Sequence, residues 1–200
     1  IALFYSHGGG GAAKRPLAPN PLLDAAAHDH SVWMMQSDTF SHTGAAASAP
    51  WDRMEAAGYD WSRAGENIAL YRVLPGPVDG DAAMALHHDG LFESPGHRKN
   101  ILAKDFRELG IGQHIGAFTH DGRDWSTSIV TQKFGATGSD VFLTGVAYAD
   151  ADGDGFYSIG EGVGGLSFAA GGAWAHTTPA GGYALALPEA TGWVDVALMD

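Results

Sequence analysis

Basic side chains stop at Lys133. Residues 1–139 carry 15 acidic and all 11 basic side chains, for a net −4, whereas residues 140–200 carry 8 acids and no base, for a net −8. Such a break points to two domains, and a glycine-containing link, Gly135-Ala136-Thr137-Gly138-Ser139, lies at it. We therefore read one domain over 1–137 and a second over 138–200. The total of −12 argues against nucleic acid as a partner, because phosphate binding needs clustered Lys and Arg. No stretch approaches the roughly 20 apolar residues of a membrane span. The absence of cysteine removes disulfides, thiolate metal sites and a cysteine nucleophile. The chain begins at Ile1 with no initiator Met and reads as a mature or trimmed piece.

Periodicity sets the expected elements. Pro21 to Ser37 has apolar residues at helical spacing, and Pro50 to Ala57 reads as a short helix stopped by Gly58. Asp79 to Phe92 reads as a third helix, and Ser94-Pro95 as the N-cap and first residue of a fourth. Leu109–Phe118 and Trp125–Phe134 alternate as strands, with a hairpin signal at His120-Asp121-Gly122-Arg123. Helices followed by an antiparallel pair give an α+β fold. Beyond the link only short strands and glycine turns are visible: Val141–Tyr148, Leu166–Ala169, Tyr183–Leu187 and Trp193–Leu198. They predict a small all-β sandwich, which at this size would benefit from a metal staple.

Such a staple is written into Asp150-Ala-Asp152-Gly-Asp154-Gly155-Phe156-Tyr-Ser158-Ile-Gly-Glu161, which fits the twelve-residue calcium-loop pattern at every defined position. Calcium takes six to eight hard oxygens. Asp150, Asp152 and Asp154 would supply carboxylates, Phe156 its carbonyl, Ser158 a direct or water-mediated ligand, and Glu161 a bidentate closure. The flanks read as strands, so the loop would stiffen a β module rather than act as a sensor. The bland alternative is an acidic turn without an ion, at the cost of mutual repulsion.

A second constellation is dispersed: His42, Glu66 and His97. Two histidines and a carboxylate can build a zinc site with an open position. They can equally be three hydrogen-bonded structural residues, and spacing does not choose. Their surroundings do more. Phe40-Ser-His-Thr-Gly44, Ala64-Gly-Glu-Asn-Ile-Ala69 and Ser94-Pro-Gly-His-Arg-Lys-Asn-Ile-Leu102 occur in this order. Together they resemble the bacterial branch of the CAP superfamily of cysteine-rich secretory, antigen 5 and pathogenesis-related proteins, over about Pro21 to Gly135. The resemblance implies a helix–sheet–helix sandwich, a mostly secreted protein, and a central cleft with two histidines and two acids. By motif these are His42, Glu66 and His97, with Glu93 as the candidate fourth member and Ile1–Tyr5 as the remnant of a leading helix.

The resemblance also implies metal in the cleft, with His42 and His97 as zinc ligands and Glu66 as a ligand, an orienting group or a base. Sterol or lipid binding is a further activity it suggests. No His-Glu-x-x-His, Gly-x-Ser-x-Gly or phosphate loop is present. Ser41 beside His42 is a conceivable nucleophile, though a hydrogen-bond role is the commoner one. After the link, Gly145-Val-Ala-Tyr148, Gly162-Val-Gly-Gly165 and Ala180-Gly-Gly-Tyr183 resemble the prealbumin-like or collagen-adhesin B-type modules of bacterial surface proteins. Three readings follow. The first is a secreted binding protein for a small, lipid-like or surface ligand. The second is a metal-dependent hydrolase of peptidase type with Glu66 as base, and the third a structural or adhesive protein with a vestigial cleft.

Overall fold

The computed structural model describes residues 16–138, 141–187 and 193–199. The leading-helix expectation for Ile1–Tyr5 and the last residue of the link lie outside them. One compact unit is Asn20–Gly138, and the described residues from Val141 onward belong to a second.

A two-residue strand, Ala18–Pro19 (β1), precedes helix α1, Pro21–Gln36. Asn20 caps α1: its side-chain oxygen accepts from Leu22 and Leu23 N–H, and Pro21 occupies the first turn, where no donor is needed. A single 3-10 turn, Ala45–Ala47, leads to α2, Pro50–Ala56. Strand β2, Arg63–Val73, follows, then α3, Gly80–Glu93, and α4, Pro95–Ile101. Strands β3, Glu108–His120, and β4, Arg123–Ala136, form a hairpin turned at Asp121 (φ 51°) and Gly122 (φ 71°). Two successive positive φ values match the twist of the flanking strands. The order β3-β4-β2 is antiparallel throughout.

Register decides what faces what. Gly112 pairs with Thr131, and Thr131 with Ile68, so Glu66, Ile68, Lys133 and Gly110 share one sheet face. Helix α1 covers that face, where Ser31 Oγ bonds the Gly112 carbonyl and Thr131 Oγ1. Helices α3 and α4 cover the other: His87 meets Ser128 Oγ, and Asn67 reaches the His97 carbonyl. The unit is therefore a helix–sheet–helix sandwich of α+β class.

The face under α1 is kept bare by glycine. A Cβ at Gly110 would overlap the backbone of Leu23–Asp24, and one at Gly112 the backbone of Ala27–His28. The helix rests almost directly on strand β3, with Leu23, Ala26, Ala27, Met34 and Met35 buried along it. Glycine makes up 29 of the 200 residues, and at these two positions it is a packing requirement.

Two elements differ from expectation. Strand β2 was not visible as a strand, because adjacent residues Glu66, Asn67 and Ile68 are all buried and the apolar–polar alternation is lost. Ser94 stands at the N-cap of α4 but makes no cap bond; its Oγ pairs with His97 Nδ1 at 3.0 Å instead.

The second unit is all-β. Val141–Val146 (β5) pairs with Gly182–Leu187 (β8), and Ser167–Ala170 (β6) lies between Ala173–His176 (β7) and Val196–Met199 (β9). Ala170, Leu185 and Leu187 form its core, beside Phe168 stacked on Tyr183 at 4.3 Å. Strand β7 was not anticipated, and the first strand ends at Val146 rather than Tyr148, which instead forms an isolated bridge to Gly162.

Replacing Gly112 by Ala is expected to cost about 1–3 kcal/mol, since the added methyl must push α1 off the sheet. Gly138→Ala, where nothing lies within 4 Å, should be near neutral in the same urea denaturation experiment.

Candidate functional site

Glu66 is the hub of the site. It sits mid-β2 with its side chain 1% exposed. Lys133 is its cross-strand partner in register, and the fully buried Lys133 Nζ lies 2.5 Å from Glu66 Oε2. Arg53 Nη2, from α2, donates to the same oxygen at 2.8 Å. His42 Nδ1 stands 2.8 Å from Oε1, and because a carboxylate only accepts, that nitrogen carries the proton. His30 Nε2 lies 4.0 Å from Oε1 and donates instead to the Ser41 carbonyl at 3.0 Å. Lys133 also donates to the Pro50 carbonyl, and Arg53 to the carbonyls of His42 and Ser48. The loop carrying His42 is therefore fastened to Glu66 at both ends of the contact.

Burial opposes ionisation of Glu66, but Lys133, His42 and Arg53 outweigh it and hold the carboxyl below its ordinary value. Burial lowers Lys133 to about 8 against the pull of Glu66. Burial likewise lowers His30 to about 4, so the ring is neutral at pH 7. It lies flat against Trp33, centroids 5.6 Å apart.

His97 is held from the other sheet face. Asn67 donates to Gln132 Oε1 (3.0 Å) and to the His97 carbonyl (3.2 Å). Asn100 donates to Asn67 Oδ1 (2.8 Å) and to the Glu66 carbonyl (3.2 Å). The Gly-Glu-Asn motif thus does two jobs with adjacent residues: Glu66 holds the His42 loop on one face and Asn67 docks α4 on the other.

A cleft of about 820 Å³ runs along β2. Phe40, Ile68, Leu70, Leu91 and Phe118 give it apolar walls, and His97, His87 and His120 its polar points. Strand β2 is at the edge of the sheet, so residues from both faces reach the cleft.

The sequence-based residues fare unequally. Glu66 and His42 are joined directly, and His97 is tied to the same strand through Asn67. Glu93 is exposed at the end of α3, and among the described residues no hydrogen bond or ion pair joins it to the other three. Ser41 Oγ accepts from Thr43 N–H, the turn role expected as its commoner one. Sequence reasoning did not select Arg53 or Lys133. The only available signal was a lysine inside the strand run Ile129–Phe134, since a lysine buried within a sheet demands a partner.

Among the described residues, the one group of three His, Asp or Glu side chains with ligand atoms within 4.8 Å of one another is Asp150, Asp152 and Asp154. Asp150 accepts from Gly153 and Gly155 N–H, Asp154 from Phe156 N–H, and Glu161 from Ala151 and Ser158 N–H. Gly153 and Gly155 take positive φ (75° and 78°), which lets the loop coil inward.

The fold and the three ordered motifs define a class, an α/β/α sandwich in which a buried glutamate on the edge strand pairs with a loop histidine. Residues 10–134 match the CAP family, cysteine-rich secretory protein family, and the chain belongs to it. Two Bacillus subtilis (strain 168) proteins are similar. YlbC, described as an uncharacterized membrane protein, is 38% identical over 86 residues, 43% of this chain and 22% of its own length. YkwD, described as an uncharacterized protein, is 28% identical over 116 residues, 58% of this chain and 40% of its own. The chain thus spans well under half of either relative. A crystal structure of an extracellular SCP-domain protein from Bacillus anthracis str. Ames aligns at 30% identity and TM-score 0.46. It covers 61% of this chain and 34% of that one. Among the described residues no helix is long and apolar enough to cross a membrane.

Acidification should weaken the fold through His30. Unfolded, the ring takes a proton near 6.5; folded, only near 4. Between those values the unfolded state binds more protons, so stability falls as pH drops from 6.5 towards 4, by up to about 3 kcal/mol. Urea melts across that range should show the slope, and His30→Phe should flatten it; equal slopes in both proteins would refute this assignment.

Proposed function

We propose that this is an extracellular binding protein whose cleft along β2 takes a small or lipid-like apolar ligand, with a calcium-stiffened β module as its second unit. The observation that carries the reading is the 820 Å³ cleft, whose size suits a drug-sized or acyl ligand and whose walls are mainly apolar. The secreted location rests on the habit of the family.

A hydrolase using Glu66 as general base draws less support. A base needs a carboxylate near solvent and a pKa near working pH. Glu66 is instead buried, held below its ordinary value, and committed to two cations and an imidazole. For the same reason Glu66 is a poor direct zinc ligand. The donors fit a different arrangement. His42 Nδ1 is engaged by Glu66, which leaves Nε2 as the free donor atom, the usual carboxylate–histidine backing of a metal ligand. With its own proton on Nδ1, given to Ser94 Oγ, His97 offers Nε2 as well. Zinc held by these two nitrogens would supply a Lewis acid; Glu66 would fix the ring of His42 and balance charge.

In the second unit, Asp150, Asp152 and Asp154 converge, with the Phe156 carbonyl, Ser158 and Glu161 completing the proposed calcium set.

Three outcomes check these readings. The fluorescent fatty acid cis-parinaric acid should bind saturably, and Leu86→Asp, at an exposed cleft position, should weaken it at least tenfold; an unchanged affinity would count against the cleft. Zinc should bind at neutral pH and be lost in a His42→Ala/His97→Ala protein; retention in that protein would exclude these ligands. Chelation should lower the melting temperature of the second unit, calcium should restore it by mass action, and Asp152→Ala should abolish the difference.

A further inference from the structure

Among the described residues lining the cleft along β2, Arg72 is the one lysine or arginine. Its place follows from strand geometry. The side chains of Ile68, Leu70 and Arg72 leave β2 on the same face, so the cation continues an apolar row that itself lines the cleft. Ile68 and Arg72 stand about 13 Å apart along the strand. The cleft therefore has a cationic end, and that end is the one towards the β3–β4 turn, where His120 and Asp38 also line it.

Trp125 holds the guanidinium in place. Thr127 pairs with Arg72 across β2 and β4, which puts Trp125 on the diagonal of the same face. The Arg72 Cζ lies 5.0 Å from the centre of the Trp125 ring. A guanidinium over an indole is attracted by the face of the ring, while its N–H groups point outward in its own plane and stay free to donate.

Those donors have no taker in the protein. Among the described residues none accepts a hydrogen bond from the Arg72 side chain or forms an ion pair with it. Other cations of the unit are committed: Arg53 and Lys133 to Glu66, and Arg107 to two carbonyls. The acid at the same end of the cleft is engaged elsewhere, since Asp38 Oδ1 accepts from Thr119 N–H. His120 lies 3.4 Å from Asp121 Oδ2. Arg72 is partly buried, where an uncompensated charge costs more than in open water.

An unpaired cation at one end of an apolar trough is the complement of an amphiphile with one anionic end. A carboxylate fits the guanidinium fork with two parallel N–H···O bonds. A neutral lipid would make the same contacts with the apolar walls but leave the charge of Arg72 unanswered. We propose that the cleft selects a free long-chain fatty acid, its carboxylate on Arg72 and its chain along Leu70, Ile68 and Phe118. The proposal rests on the apolar-ligand reading of the cleft and adds the headgroup to it.

The test compares cis-parinaric acid with its methyl ester, titrated into the whole chain and into Arg72→Met, which keeps an apolar stem and removes the charge. The unaltered protein should bind the acid about tenfold or more tightly than the ester, the range expected for hydrogen bonds to a charged group. Added salt should narrow that gap. Arg72→Met should bring the acid to the affinity of the ester, at an unchanged melting temperature. If neither probe binds, the apolar-ligand reading fails and this proposal with it. If acid and ester bind the unaltered protein equally, or if the acid keeps its advantage in Arg72→Met, the cleft stands and the headgroup assignment is overturned.

Discussion

A carboxylate buried under a helix stays ionised only if cations are buried with it, and the Glu66–Lys133 pair meets that condition by strand register alone. The two residues face each other across β2 and β4 on the same sheet face. Arg53 and His42 complete the shell from α2 and the preceding loop. Removing one partner of such a cluster strands the other charge, at about 3–5 kcal/mol. The cluster therefore fixes the relative positions of the sheet, α2 and the His42 loop more firmly than apolar packing would, because the penalty for misplacement is steep and directional. It also sets what Glu66 can do: anchor and orient, rather than exchange protons with a substrate.

That cluster exists only because α1 sits close enough to seal it. Gly110 and Gly112 let the helix backbone approach the strand directly, and the approach brings His30 to within 4.0 Å of Glu66. Close packing, not loop flexibility, accounts for these glycines. Gly44 carries the same logic from the loop side, where a Cβ would stand 2.8 Å from Arg53 Nη1.

Much of the first unit was legible beforehand. Helices α1 to α4 and the β3–β4 hairpin follow from apolar spacing, proline at first turns and the Asp121-Gly122 turn. That the adjacent His87 and His88 face different ways also follows from helix geometry, but that His87 is the buried one does not. Strand β2 could not, because three consecutive residues bury side chains on opposite faces and erase the period-2 signal. Nor could the role of Ser94, whose hydroxyl serves an imidazole rather than the helix end. Glu93 neighbours the His97 motif in sequence, but the helix geometry turns it to solvent.

The sequence by itself determined the charge break, the acidic loop, the three ordered motifs and hence the family, since each is a local string whose residue types carry the signal. Only the tertiary structure decided which groups answer Glu66. Lys133 is 67 positions away from it by the numbering, and Arg53 lies on another element, so neither spacing nor composition pairs them. Register and burial do: they bring distant charges into one low-dielectric site, where an unpaired group is far costlier than in water.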